Sequence, residues 1–176
     1  MKVEMKKEMR SERDFVGMQG YVVEKLGIKD ASEVEELFRL VWPFAEEYPV
    51  GWRRRRCLSS GEIVREMLEG YYYFGIRLEG KLVAVYKAKI EENICFGEHL
   101  SIHPDYRRRG LAKAMYEHIL RFAKEKGCVS VRVNILPTQV ASVKIVKRYG
   151  FRKIREYEQI PGMLVHLYEK VVGRGE

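Results

Sequence analysis

Residues 103–120 read HPDYRRRGLAKAMYEHIL. Arg107, Arg108 and Arg109 run straight into Gly110, and an amphipathic pattern (Leu111, Ala114, Met115, His118, Ile119, Phe122) begins immediately after it. A helix starting there leaves its first N–H groups without intrahelical partners, and its dipole makes that end positive. Acidic side chains are the ordinary complement of such an end. Three arginines therefore leave two readings open: a solvated basic turn, or a positive end that awaits an anion. Gly110 has no Cβ and lets a ligand come close to the backbone, and Ala112 keeps a second approach point small. Flanking guanidinium groups would screen the second charge of a pyrophosphate. Two other phosphate motifs are absent: there is no GxxxxGK[ST] loop and no GxGxxG fingerprint opening a βαβ unit.

Just upstream lie Glu98, His99 and His103, side-chain types that move protons or bind metals. His99 and His103 are four residues apart at the end of a strand pattern rather than on a helix, and no CxxC pair accompanies them, so no metal site is expected. Glu98 and His99 remain as proton-moving candidates; the other reading of Glu98 is a surface carboxylate answering nearby arginines. Cys57, Cys95 and Cys128 are odd in number and widely spaced, which argues against a disulfide framework and for a reducing, cytoplasmic setting.

Several elements must position these groups. Residues 1–18 read as a charged lead-in, helical or disordered, and residues 19–173 as one domain. GYVVEKLG (20–27) is a short strand pattern. DASEVEELFRLVW (30–42) is a helix ended by Pro43, with Asp30 or Ser32 as cap. Residues 43–57 read as irregular and carry Arg53 to Arg56. SSGEIVREMLEG (59–70) is a second helix with Ser59 or Ser60 as cap. The strands 71–78 and 82–90 flank a Glu79-Gly80-Lys81 turn, and 94–103 is a third strand interrupted by Gly97, where a bulge is expected. After the helix at Leu111 come a valine-rich strand (128–135), a helix over 138–150 with Thr138 as cap, and a strand pair around Pro161-Gly162. The order β-α-α-β-β-β-α-β-α-β-β implies an α/β (α+β) fold, a mixed sheet with helices on its faces.

The segment LSIHPDYRRRGLAKAMYEHIL resembles the acetyl-CoA signature [QR]-x-x-G-x-[GA] of the GNAT superfamily of N-acetyltransferases, here Arg107, Gly110 and Ala112. Leu100, Ile102 and Pro104 supply the family's strand end, and ASVKIVKRYGFRKI (141–154) resembles its helix-to-strand junction. The resemblance implies a single mixed, mostly antiparallel twisted sheet of about seven strands with about four helices. It implies acetyl-CoA as cofactor. The backbone of Leu100, Ser101 and Ile102 would pair with the pantetheine arm, and that of Arg107, Arg108, Arg109, Gly110, Leu111, Ala112 and Lys113 would cradle the pyrophosphate. Gln139 and Ser142, at the start of the later helix, would lie against the cofactor, and the family's strand bulge would fall at Gly97.

The implied activity is acetyl transfer to a primary amine, either a protein or peptide α-amine or a small-molecule amine, by direct attack on the thioester. At pH 7 an α-amine with a pKa near 7.8 is about 10–15% neutral and a lysine amine well under ~0.1%, so a base matters far more for lysine. In the branch that acetylates ribosomal-protein N-termini, a glutamate, an asparagine and a tyrosine are functional; the matching positions here are Asn134, Gln139 and Val146. The usual tyrosine acid is missing, which leaves Glu98 and His99 as the catalytic candidates, with His166, Tyr168 and Tyr149 weaker.

The net charge of +8 favours anionic partners. The four-arginine block implies an acidic acceptor or docking to nucleic acid or a ribosomal protein; its other reading is a solvated loop paired with Glu46, Glu47 and Glu62. A nucleic-acid- or ribosome-associated binding module and an acyl-CoA-binding pseudoenzyme are the alternative functions. No membrane association is expected, and the oligomer is a monomer or homodimer. The sparse amides (Asn93, Asn134, Gln19, Gln139, Gln159) beside abundant Lys, Arg and Glu give a thermophile-like composition.

Overall fold

The structure, a computed structural model, describes residues 14–16 and 20–173. Eight strands form one sheet: β1 (Asp14–Val16), β2 (Val22–Leu26), β3 (Tyr72–Leu78), β4 (Lys81–Glu91), β5 (Ile94–Ile102), β6 (Ser130–Ile135), β7 (Arg152–Ile160) and β8 (Met163–Val171), in the order β1-β2-β3-β4-β5-β6-β8-β7. Five α-helices accompany it: α1 (Ala31–Val41), α2 (Val50–Arg56), α3 (Ser60–Leu68), α4 (Leu111–Glu125) and α5 (Val140–Arg148). The mixed, mostly antiparallel sheet is the one expected, with a short extra edge strand and an extra helix.

Turn chemistry sets the hairpins. Glu79 and Gly80, between β3 and β4, have φ of 51° and 78°, and Glu92 and Asn93, between β4 and β5, have φ of 48° and 66°. Two consecutive left-handed residues give the turn whose twist matches paired strands. Alternation along each strand then feeds two cores. On one face Phe74, Val83, Tyr86 and Cys95 pack with Leu111, Met115, Ile119 and Phe122 of α4 and Val146 of α5. On the other, Tyr73, Leu82, Val85 and Val165 pack with Val34, Leu37 and Phe38 of α1, Trp52 of α2 and Ile63 of α3. The aromatic run Tyr71–Phe74 thus divides between the two cores.

β5 and β6 form the one parallel pair among the described residues, and their register stops at Gly97↔Val133. Beyond it β5 stays with β4 while β6 continues along β8 to Ile135. The sheet is therefore open between β5 and β6 from Glu98 and Asn134 onward.

Four local expectations are corrected. The bulge in β5 is not at Gly97: the register with β4 shifts between Lys87↔Glu98 and Val85↔Ser101, and His99 in between has φ 54°. Gly97 is small for another reason, since a Cβ there would lie 2.5 Å from Ile119 Cδ1 and 3.3 Å from Val133 Cγ1. Residues 50–56 are a helix rather than irregular, with Pro49 at the N-cap position. Gln139, not Thr138, stands at the N-cap of α5. The charged lead-in falls largely on residues outside those described, but Asp14–Val16 pair with β2 as a strand.

Candidate active site

The opening between β5 and β6 leads into a cavity of about 170 Å³. Met115, Tyr116 and Ile119 of α4 and Ser142 of α5 wall it on one side of the sheet, and Trp42, Trp52, Arg55 and Arg56 on the other. Glu98, His99 and Leu100 of β5 and Asn134 of β6 form its waist. The cavity passes between two strands that no longer bond each other. The β6-facing edge of Leu100, Ser101 and Ile102 has no strand partner among the described residues, while Val85 and Ala84 pair with Ser101 and Ile102 on the other edge.

At the end of β5, Pro104–Tyr106 make one 3-10 turn before the helix. Arg108 has φ 61° and Gly110 φ 80°, so two left-handed residues within three positions turn the chain into the first turn of α4. Ala114 N–H donates to the Gly110 carbonyl, 3.1 Å away, which leaves the N–H groups of Leu111, Ala112 and Lys113 ahead of the first helical bond. The Tyr21 hydroxyl donates to the Arg109 carbonyl oxygen at 2.7 Å and fixes the loop from β2. The Arg109 guanidinium lies over the Tyr106 ring, and Arg107, Arg108 and Arg109 are all exposed. This end can hold an anion by backbone donors, dipole and side-chain charge together.

The bulge aims Glu98 and His99. The Ser101 hydroxyl accepts the Trp42 indole N–H at 2.8 Å and donates to the His99 carbonyl at 3.0 Å, so the C-cap residue of α1 holds the bulge. Glu98 lies 3.6 Å from Lys87 Nζ and is half-buried. Lys87 itself is buried and already committed: its Nζ bonds both Glu66 oxygens at 2.8 and 2.9 Å, and the Tyr73 hydroxyl donates to the same carboxylate. Glu98 is thus a loosely held carboxylate at the cavity waist. Burial holds the His99 imidazole well below its ordinary value, with Lys87, Arg56 and Arg55 adding to the effect, and its Nδ1 is buried without a hydrogen-bond partner among the described residues.

The arginine block divides. Arg54 and Arg55 are exposed, and Arg53 donates to the Tyr48 and Pro43 carbonyls. Arg56 is buried, with its Cζ 3.4 Å from the Trp52 ring centroid and 5.3 Å from that of Trp42. Burial pulls its pKa down to about 9, so it stays cationic at neutral pH. Among the described residues, none of the four pairs with Glu46, Glu47 or Glu62, so the block is not the self-neutralised loop that one reading expected; Glu62 instead closes the capping box of α3 with Ser59.

Of the other sequence candidates, Gln139 and Ser142 line the cavity. Gln139 Oε1 already accepts the Leu136 N–H at 2.8 Å, which leaves its amide donors for a ligand. Asn134 Oδ1 accepts the Tyr157 hydroxyl at 2.9 Å. Val146 is in the core, Tyr149 donates to Glu117 Oε1 at 2.9 Å, His166 lies 3.3 Å from Glu156, and Tyr168 is buried. Trp42 was not singled out as a cavity residue by the sequence, whereas Trp52 and Arg56 belong to the arginine-rich segment expected to face the acceptor, and their spacing i, i+4 is the signal that they share one side of a helix. Lys87 was legible only as a lysine inside an apolar strand.

Among the described residues no cluster of His, Cys, Asp and Glu could hold a metal ion, and no helix is long and apolar enough to cross a membrane.

A strand-opened sheet with an anion-binding helix end beside the gap is the geometry of an acyl-thioester-handling fold. The sequence profile of the Acetyltransferase (GNAT) family matches residues 32–151, and the chain belongs to that family. N-acetylaspartate synthetase of Xenopus tropicalis is 30% identical over 98 residues, 53% of this chain and 36% of that protein. The ribosomal protein bS18-alanine N-acetyltransferase of Escherichia coli (strain K12) is 24% identical over 87 residues, 48% of this chain and 57% of that protein. The chain thus matches between about a third and just over half the length of these relatives. The crystal structure of the ribosomal-protein-S18-alanine N-acetyltransferase from Escherichia coli superposes with a TM-score of 0.72 at 16% identity, covering 89% of this chain and 96% of that one. PaiA N-acetyltransferase from Thermoplasma acidophilum, solved in complex with coenzyme A, gives 0.70 at 20% identity, covering 85% and 97%. At these identities the superpositions speak to the fold.

Proposed function

We propose that the chain is an acetyl-CoA-dependent N-acetyltransferase that passes the acetyl group directly to a primary amine. The observation that carries the reading is the opening of the sheet between β5 and β6 beyond Gly97, with a cavity that reaches both faces. The residues fit the cofactor. The free N–H groups at Leu111, Ala112 and Lys113 and the flanking arginines suit a pyrophosphate, and the unpaired edge of Leu100–Ile102 suits the amides of a pantetheine arm. Acetyl-CoA supplies an acetyl thioester at the gap.

The chain's own residues do the rest. The amine enters from the side of Trp42, Trp52 and Arg56. Arg56, Arg55 and Lys87 disfavour an ammonium there and so favour the neutral, nucleophilic amine. As the nitrogen bonds the acetyl carbon and the C–S bond breaks, Glu98 takes the proton the amine sheds, directly or through water, and the thiolate is protonated from solvent. His99, already neutral and buried, shapes the waist rather than carrying the proton. An amine acceptor also agrees with the names of the relatives, one of which acts on a ribosomal-protein alanine while another makes N-acetylaspartate.

Calorimetric titration with acetyl-CoA tests the donor half. Binding below millimolar is expected for the wild type, and Gly110→Asp abolishes it while circular dichroism stays unchanged, because a carboxylate then occupies the anion end. No binding by the wild type, or wild-type affinity in the variant, overturns the reading.

A further inference from the structure

α2 buries a cation that pairs with no carboxylate among the described residues. Arg56 is 8% exposed, yet among the described residues it makes no ion pair and one hydrogen bond, from Nη1 to the Trp52 carbonyl at 3.2 Å. A guanidinium carries five N–H donors in a planar fork that matches a carboxylate. Stacking on Trp52 and Trp42 accounts for its faces, not for its edge. The dipole of a seven-residue helix supplies only a partial negative charge at its end. A buried charge without an ion-pair partner is costly, and an anionic ligand at its edge would lower that cost.

The position of Arg56 says what that ligand brings. It lines the cavity with Glu98, which acts on it through space without closing to an ion pair. Lys87 is matched by Glu66, so the wall is left with Arg56 and the exposed Arg55 against Glu98. One fully buried donor of this wall, Trp52 Nε1, has no hydrogen-bond partner among the described residues. The acceptor side thus offers a cation, Arg56, and a carboxylate, Glu98, in one lining, and it is only part of a cavity of about 170 Å³ that also serves the other face of the sheet, room for a small molecule rather than a folded surface.

Resting on the acetyltransferase reading, we propose that the acceptor is a small amino acid whose carboxylate docks on Arg56 while its amine faces Glu98 and the thioester. The same contact serves the chemistry: a carboxylate neutralised by Arg56 no longer holds its neighbouring amine in the protonated form.

The test compares acceptors that differ in one group. The CoA-saturated protein is titrated with L-alanine, L-aspartate and L-glutamate and with the α-amide of each. Each acid is expected to bind at least tenfold more tightly than its amide. Arg56→Met removes the difference with CoA affinity unchanged, and Arg56→Lys keeps part of it. An amide that binds as well as its acid, absence of acid binding, or a preference that survives Arg56→Met overturns the proposal. So does tighter binding of a C-terminally amidated peptide with an acidic first residue, which points to a peptide acceptor instead. If Arg56→Met does not fold, the wild-type acid-to-amide ratio and Arg56→Lys decide. CoA binding without acid preference removes this proposal alone, whereas failure to bind CoA removes the acetyltransferase reading with it.

Discussion

Glu98 owes its availability to a neighbour that has chosen another partner. Lys87 is saturated by Glu66, so its 3.6 Å approach leaves Glu98 half-buried at the waist and able to take a proton. The Glu98→Gln variant is expected to lose more turnover at pH 7 than at pH 9 with an α-amine acceptor, because at the higher pH the amine arrives neutral without help. Initial-rate measurements at the two values check this, and an equal loss at both assigns Glu98 to binding instead. His99 contrasts with it on the same bulge. Its imidazole is kept neutral by burial and by three cations, so no limb of the rate profile between pH 6 and 8 belongs to it.

At the scale of elements, the bulge in β5 decides where those groups point. It is held by the relay from the Trp42 indole through the Ser101 hydroxyl to the His99 carbonyl. Ser101→Ala leaves the buried Trp42 N–H unsatisfied and is expected to cost about 1–3 kcal/mol in urea unfolding. It also raises KM for the acceptor. An unaltered stability and KM would show that the backbone alone sets the bulge. The relay also shows where sequence reading stops. The anion end was legible because its parts, Arg107 through Lys113, lie within one turn and one loop. The bulge was not, since a register shift is a relation between β4 and β5, and an internal glycine at position 97 drew attention two residues too early. α2 was hidden because Pro49 and the four arginines leave little apolar periodicity, although Trp52 and Arg56 sit one turn apart on its buried side. Apart from β1 and α2, the order of strands and helices was readable from alternation and turn residues alone, whereas the cavity wall required knowing how residues of α1 and α2 come together beside β5.

The whole molecule carries a pH signature set by burial rather than by the site. His118 packs on α4 among Phe74, Tyr86 and Phe122, its Nδ1 2.5 Å from the Tyr86 hydroxyl, and burial lowers its pKa to about 4. In the unfolded chain a histidine titrates near ~6.5. Between those values the unfolded state binds the proton and the folded state does not, so the stability that His118 contributes is complete above ~6.5 and is lost as pH falls toward 4. The slope from this one group is about 1.4 kcal/mol per pH unit in that window. His99, shifted the same way, adds to it. His118→Gln keeps a hydrogen-bonding side chain beside Tyr86 but has no proton to take up. Denaturant unfolding of both proteins at pH 7, 6, 5 and 4.5 is therefore expected to give a shallower dependence for the variant, whatever its offset at pH 7. Parallel curves would mean that His118 is protonated in the folded chain and that the core around α4 admits a charge.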